Sequence, residues 1–195
     1  MRPVDPALVR AVQRNTPGAM DELIRATYGD VYSLARRLMG NPEDAADATQ
    51  EVFIRVVRGV LAFRAEAAFS TWLHTVTVNV CLSALRKRSK LSQTGASAGW
   101  KPFATPDDVT AIDLESSEDV EDTVASSIDN AALARRTAEA LDQLSDEARA
   151  VVVLRDIQEL STKEVAAMLD VSESVVKVRL HRAHARLREL MGDAR

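Results

Sequence analysis

Thr75-Val76-Thr77-Val78-Asn79-Val80 alternates polar and apolar side chains and is rich in β-branched residues, so taken alone it reads as a strand. The rest of the chain offers no second strand to complete its ladder, and Trp72, Leu73, Val76 and Val80 also fall on one helical stripe. The segment Ser70–Arg88 is therefore expected to be a helix with Ser70 as its N-cap. With that segment helical, no hairpin remains and the fold class is all-α.

Upstream, Met20, Leu23, Ile24, Val31, Leu34, Ala35 and Leu38 recur at the three-and-four spacing of an amphipathic helix over Ala19–Met39. Asn41-Pro42-Glu43-Asp44 then has the chemistry of a helix start: an Asn cap, Pro at the first helical position and carboxylates at the positive end of the dipole. That helix is expected to run to about Leu61, burying Val52, Phe53, Val56 and Val60 and placing Asp44, Asp47 and Glu51 on another face. Downstream, helices are expected over Ala131–Leu144, Asp146–Ile157, Thr162–Leu169 and Glu173–Met191, the last three capped by Ser145, Ser161 and Ser172.

Between the two helical blocks, Ser89–Asn130 is rich in Ser, Gly, Thr, Pro and acids and lacks periodicity, the composition of an inter-domain linker. The expected organisation is two small helical domains, 1–90 and 131–195, joined by a long, flexible acidic linker over 91–130. A chain of 195 residues has room for both.

The net charge of −4 argues against a nucleic-acid partner until the charges are located. Nine acids and no Lys or Arg lie between Pro102 and Ala134, and without them the remainder carries 20 acids against 25 bases. Much of that surplus sits in Arg86–Lys90 and Lys177–Arg188, two candidate phosphate-binding surfaces. Hydrophobic residues at 46% and charged residues at 28% fit a soluble globular chain. No apolar run approaches the ~20 residues that span a bilayer and no signal-peptide pattern opens the chain, so a cytoplasmic protein with no membrane insertion is expected. Cys81 is the only cysteine, which excludes an internal disulfide and any zinc site built on several thiolates. A redox role for it would require exposure and a lowered pKa.

Ser161–Arg188 has the layout of a helix-turn-helix: a short helix to Leu169, a tight Asp170-Val171-Ser172 turn and a longer helix. The second helix is expected to bury Val175, Val176, Leu180, Ala183 and Leu187. It would expose Lys177, Arg179, His181, Arg182, His184, Arg186 and Arg188, donors for phosphates and base edges. A solvated basic helix in an ordinary bundle would show the same charges; the cap, the turn and the one-sidedness favour DNA.

Asp44-Ala-Ala-Asp47-Ala-Thr-Gln50-Glu51-Val-Phe53, with Ala62-Phe63-Arg64, Phe69-Ser70-Thr71-Trp72-Leu73 and Val78-Asn79, resembles region 2 of extracytoplasmic-function (ECF) RNA polymerase sigma factors of the sigma-70 family. Ala140-Leu141-Asp142-Gln143-Leu144 and Val175-Val176-Lys177-Val178-Arg179-Leu180-His181-Arg182-Ala183 resemble their region 4. The resemblance spans about Met20–Arg88 and Asn130–Leu190.

It implies a subunit that binds core RNA polymerase, melts the −10 promoter element with region 2 and reads the −35 element with region 4. Asp44, Asp47, Gln50 and Glu51 would meet the clamp of the polymerase's largest subunit, which suits an acidic stripe facing a basic partner. In the −10 segment, Phe63 and Asn79 would line a pocket for a flipped base, with Arg64 and Phe69 nearby. Arg86, Lys87 and Arg88 would hold phosphates, and Trp72 is assigned to the core. The −35 readers by correspondence are Lys177, His181 and Arg182, with Ser172, Ser174 and Arg179 nearby. This chain departs from the family with Asp170 where Gly is frequent, Val178 where a small polar residue is frequent and His184 where Arg is usual. A neutral imidazole at His184 weakens one phosphate contact, so binding is expected to tighten below about pH 6.5. The resemblance further implies promoter DNA and an anti-sigma factor as partners, a monomer when free, and no cofactor.

The acidic stretch Asp107–Asp122 fits two readings, a nucleic-acid mimic lying in a basic groove of the polymerase or a solvated tether. A flexible linker of about 40 residues spans ~35 Å on average and up to roughly 130 Å, enough to bridge separated promoter elements. An enzyme is not expected: His74, His181 and His184 form no metal spacing, no Gly-rich phosphate loop occurs and Cys81 has no base beside it. The competing reading is a stand-alone helix-turn-helix regulator acting as a homodimer on palindromic DNA.

Overall fold

A computed structural model describes residues 1–65, 67–92 and 127–192. They are helical throughout, without a strand among them, and divide into two compact units. The first contains α1 (Pro6–Gln13), α2 (Ala19–Met39), α3 (Pro42–Gly59), a 3-10 turn (Val60–Ala62) and α4 (Phe69–Ser92). The second contains α5 (Ser127–Asp142), α6 (Asp146–Val152), a π turn (Val153–Ile157), α7 (Thr162–Leu169) and α8 (Glu173–Met191). No described helix is long and apolar enough to cross a membrane.

In the first unit, α2, α3 and α4 pack against one another, and α1 lies on α2 and the 3-10 turn. Gly40, at φ +80°, ends α2, and its N–H donates to the Arg36 carbonyl at 3.2 Å. One residue on, the Asn41 side chain accepts from the Asp44 N–H at 2.8 Å with Pro42 at the first helical position, the start expected for α3. α1 was not foreseen. The Asp5 carboxylate caps it, and Gln13 ties its end to the loop after α3 by donating to the carbonyls of Val60 and Phe63 at 3.1 and 2.8 Å.

The ambiguous segment is helical, and α4 explains why its pattern resembled a strand. Leu73, Thr77, Val78, Val80, Cys81, Leu82 and Leu85 are all buried, so α4 is covered on most of its circumference and carries no narrow apolar stripe. The polar positions of the alternation are satisfied inside the helix: the Thr75 and Thr77 hydroxyls donate to the carbonyls of Thr71 and Leu73 at 3.0 and 2.8 Å. Ser70 is not the cap. The helix begins at Phe69, and the Ala68 carbonyl accepts from the Trp72 N–H at 3.2 Å.

In the second unit, Leu141, Leu144, Val152 and Ala183 form a core joined by Ile157, Leu180 and Leu187. The helix expected over Asp146–Ile157 continues beyond α6 as a π turn, closed by the Gln158 N–H donating to the Val153 carbonyl at 2.9 Å. Arg149 is buried in this unit and satisfied there, donating to the Leu144 carbonyl at 3.2 Å and to Asp146 Oδ1 at 2.5 Å.

The linker expected over 91–130 is shorter at both ends, since α4 continues to Ser92 and α5 begins at Ser127. Asp107–Asp122, with the two readings of its charge, lies outside the described residues.

Candidate polymerase and nucleic-acid interfaces

The helix-turn-helix is built by three local devices. Ser161 and Glu164 form a reciprocal capping box at the start of α7, the Glu164 N–H donating to Ser161 Oγ at 3.2 Å and the Ser161 N–H to Glu164 Oε2 at 2.6 Å. Asp170 then adopts the left-handed conformation, φ +53° and ψ +50°, and the Val171 N–H closes the turn on the Ala166 carbonyl at 3.0 Å. Ser172 caps α8 through the Val175 N–H at 3.4 Å, and its hydroxyl lies 2.8 Å from that of Ser174. Asp thus serves where Gly is frequent, because its short polar side chain tolerates positive φ.

Ser172, the cap of α8, and Ser174, Lys177, His181 and Arg182, within its first three turns, are all exposed. Three other residues depart from expectation. Arg179 is half-buried, its Nη2 lies 3.8 Å from Glu147 Oε2 and its Nη1 is buried without a hydrogen-bond partner, so it leans back onto α6 instead of presenting its full fork outward. Val175, expected in the core, is 37% exposed, because it sits about 100° around the helix from Val176 and so off the stripe that Val176 and Ala183 define. His184 Nε2 sits 2.6 Å from Asp156 Oδ2, which corrects the reading of His184 as a weakened phosphate contact: its ring is engaged within the unit.

In the first unit, Asp47 and Gln50 are exposed on α3. Glu51 is paired with Arg55 one turn on at 2.8 Å. Asp44 accepts from Asn41 Nδ2 at 2.7 Å and forms an ion pair with Arg88 of α4. The four acidic-face residues share a helix but not one state, and Asp47 with Gln50 are the pair available to a partner.

Beside Gln50 an open, apolar groove of about 530 Å³ runs between α2 and α3, lined by Ile24, Tyr28, Phe53, Ile54, Val57 and Arg58 among others. Tyr28 stacks on Phe53 with ring centroids 6.0 Å apart, and Tyr28, Ile54 and Val57 are each nearly half exposed. This feature was missed. Ile54 and Val57 lie off the Val52–Val56 stripe, and apolar residues on the outer face of α3 were the sequence signal for it.

The −10 candidates separate. Phe63, Phe69 and Trp72 form one aromatic cluster with centroids 5.3 to 5.6 Å apart, in which Phe69 is buried at 5% exposure and Phe63 remains half-exposed. Trp72 also lies against Gly59, where an added Cβ would meet its ring at 3.1 Å. Phe69 is therefore core, not a stacking surface. Asn79 is half-exposed on the same side of α4 as Trp72, roughly 10 Å farther along the axis, so the structure does not bring it against Phe63 directly. Arg64 and Lys87 are exposed, and Arg88 is half-exposed in its pair with Asp44. Arg86 is buried at 6% exposure, one turn beyond buried Leu82, which corrects its expected place among the phosphate contacts. Cys81 is buried and free, and burial pushes its thiol up from 9.0 to about 12, the opposite of what a redox role needs. Among the described residues no three His, Cys, Asp or Glu side chains gather as a metal site.

Comparison with known proteins fits this division. Residues 23–91 match Sigma-70 region 2, and residues 134–187 match Sigma-70, region 4. The chain is 36% identical over 171 residues to the ECF RNA polymerase sigma factor SigE of Mycolicibacterium smegmatis, a match covering 88% of this chain and 61% of that protein. It is 36% identical over 174 residues to the ECF RNA polymerase sigma factor SigM of Mycobacterium tuberculosis, covering 89% and 78%. The fold is similar to that of the sigma factor RpoE in complex with the anti-sigma factor NepR from Bartonella quintana, with a TM-score of 0.53, 20% identity, and 91% of this chain and 99% of that one covered. Two helical units matching regions 2 and 4 in that order, with relatives this similar, place the chain among the ECF sigma factors of the sigma-70 family, the subunits that direct RNA polymerase to promoters.

Proposed function

We propose that the chain binds core RNA polymerase through the outer face of α3 and carries it to promoters, opening the −10 element with its first unit and reading the −35 element with its second. Asp47 and Gln50, with Glu51 and Asp44 at the margins, meet the basic clamp of the largest subunit, and the groove beside Gln50 accepts an apolar anchor from it. Phe63, Arg64, Asn79, Lys87 and, once released from Asp44, Arg88 handle the −10 strand; Ser172, Ser174, Lys177, His181 and Arg182 face the −35 duplex, with Arg179 as support. Catalysis belongs to the polymerase. The chain works in the cytoplasm as a monomer when free and is held in check by an anti-sigma factor, the kind of partner found with its structural relative.

The observation that most supports this reading is a capped helix-turn-helix with a basic outer face in the same chain as a helix exposing Asp47 and Gln50. Size-exclusion co-elution with bacterial core RNA polymerase tests it. Wild type is expected to co-elute stoichiometrically, and the double change Asp47→Lys with Glu51→Lys to abolish this while leaving the helical circular-dichroism spectrum intact. A chain that ignores the polymerase and runs as a homodimer would instead support the stand-alone regulator.

A further inference from the structure

On α8 the exposed side chains are arranged by kind as well as by charge. With about 100° between successive residues, Val178 falls nearly opposite the buried Val176 and so occupies the middle of the outer face. It is 49% exposed, and Val175, one turn earlier on the same side, is 37% exposed. Ser174 precedes Val178 by one turn on the same line. His181 and Lys177 lie to one side of this line and Arg182 and Arg186 to the other, and all six of these flanking and line residues are exposed.

A helix lying in the major groove has different needs at its edges and its middle. The edges run beside the two phosphate backbones and call for cations, while the middle meets base edges, where only side chains of matching chemistry are tolerated. Val178 can neither donate nor accept a hydrogen bond. It adds nothing to the core, and as a β-branched residue on an exposed helical position it lowers helix propensity relative to Ala. The one apolar feature that a base edge displays in the major groove is the thymine C5-methyl group.

We propose that Val178 is a specificity-determining residue that selects a thymine in the upstream promoter element by packing its two methyl groups against the thymine C5-methyl. This rests on the DNA-reading role assigned above to α8. The contact is dry and apolar, surrounded by the salt-dependent contacts of Lys177 and Arg182, and so contributes base preference without contributing to the salt dependence of binding.

The test uses the full chain assembled with core polymerase and, as probe, a pool of promoter duplexes randomised across the upstream element. From the recovered duplex, each thymine is replaced in turn by deoxyuridine, which removes the methyl group and nothing else. Wild type is expected to lose about three- to four-fold in affinity at one thymine. Val178→Ala, which favours the helix, should bind the thymine and deoxyuridine duplexes equally at that position with an unchanged salt slope; Val178→Thr, which keeps one methyl, should retain part of the discrimination. Wild type indifferent to every deoxyuridine, or Val178→Ala as sensitive as wild type, would overturn the proposal. Failure of the holoenzyme to enrich any upstream sequence would overturn it together with the reading of α8 on which it rests.

Discussion

Arg88, near the end of α4, is ion-paired with Asp44 in the first turn of α3, and its Nη2 donates to the Met39 carbonyl at 3.3 Å. One guanidinium thus meets both the unsatisfied carbonyl end of α2 and an acidic group at the start of α3, joining three helices where the chain turns at Gly40. Both side chains are more than a third exposed, so solvent screens the pair. A double-mutant cycle of Asp44→Ala and Arg88→Ala in urea should show a coupling of about 0.5–1 kcal/mol. Strict additivity would mean that the pair does not hold these helix ends together.

The positive φ of Asp170 makes a second prediction. An L-residue there carries a steric penalty that glycine lacks, so Asp170→Gly should raise the stability of the second unit by a few tenths to about 1 kcal/mol, and Asp170→Val should lower it by about 1–2 kcal/mol. Thermal unfolding of the three proteins reads the order directly. A destabilised glycine variant would show that the aspartate side chain contributes more than its tolerance of the turn.

Lys177 and Arg182 are exposed and flank the line of Ser174 and Val178 on α8. If each neutralises one phosphate, Lys177→Ala and Arg182→Ala should each reduce the slope of log affinity against log salt by about one, measured as holoenzyme binding to promoter duplex. An unchanged slope with altered sequence preference would assign that residue to base edges instead.

Cys81 supplies the pH dependence. Its thiol is pushed up from 9.0 to about 12 by burial, so the unfolded chain loses this proton first as pH rises. The contribution of this group to stability is then complete below about pH 9 and is lost between about pH 9 and about 12. Denaturant titrations across that range should show the decline, reduced in Cys81→Ala. Below about pH 9 native protein should resist iodoacetamide until denaturant is added; rapid labelling of the native state would contradict the burial.

The helical architecture was largely legible in the sequence because its punctuation is local. Asn41-Pro42, Ser161 and Ser172 act through bonds within one turn of the backbone, so α3, α7 and α8 begin where their caps predict. The family resemblance was legible for the same reason, being carried by contiguous motifs. Ser70 misled because a serine at a helix start is only a preference, and the helix begins two residues earlier than that cap implies, at the buried Phe69.

Which side chains remain available for function could not be read in that way. Arg86 and Arg88 are two positions apart in one basic cluster, yet one is buried and the other is paired with an aspartate far away in sequence. Asp44 and Asp47 share the same periodicity, and only Asp47 is exposed to solvent without that pairing. His184, read as an exposed donor of α8, has Asp156 beside it, and Val178, a departure from a motif in the sequence, sits at the centre of the outer face. Local backbone chemistry and hydrophobic periodicity set where each helix runs, because those forces act between near neighbours in the chain. Exposure and ion pairing depend on what other helices bring alongside, and such contacts exist only once the bundle has closed.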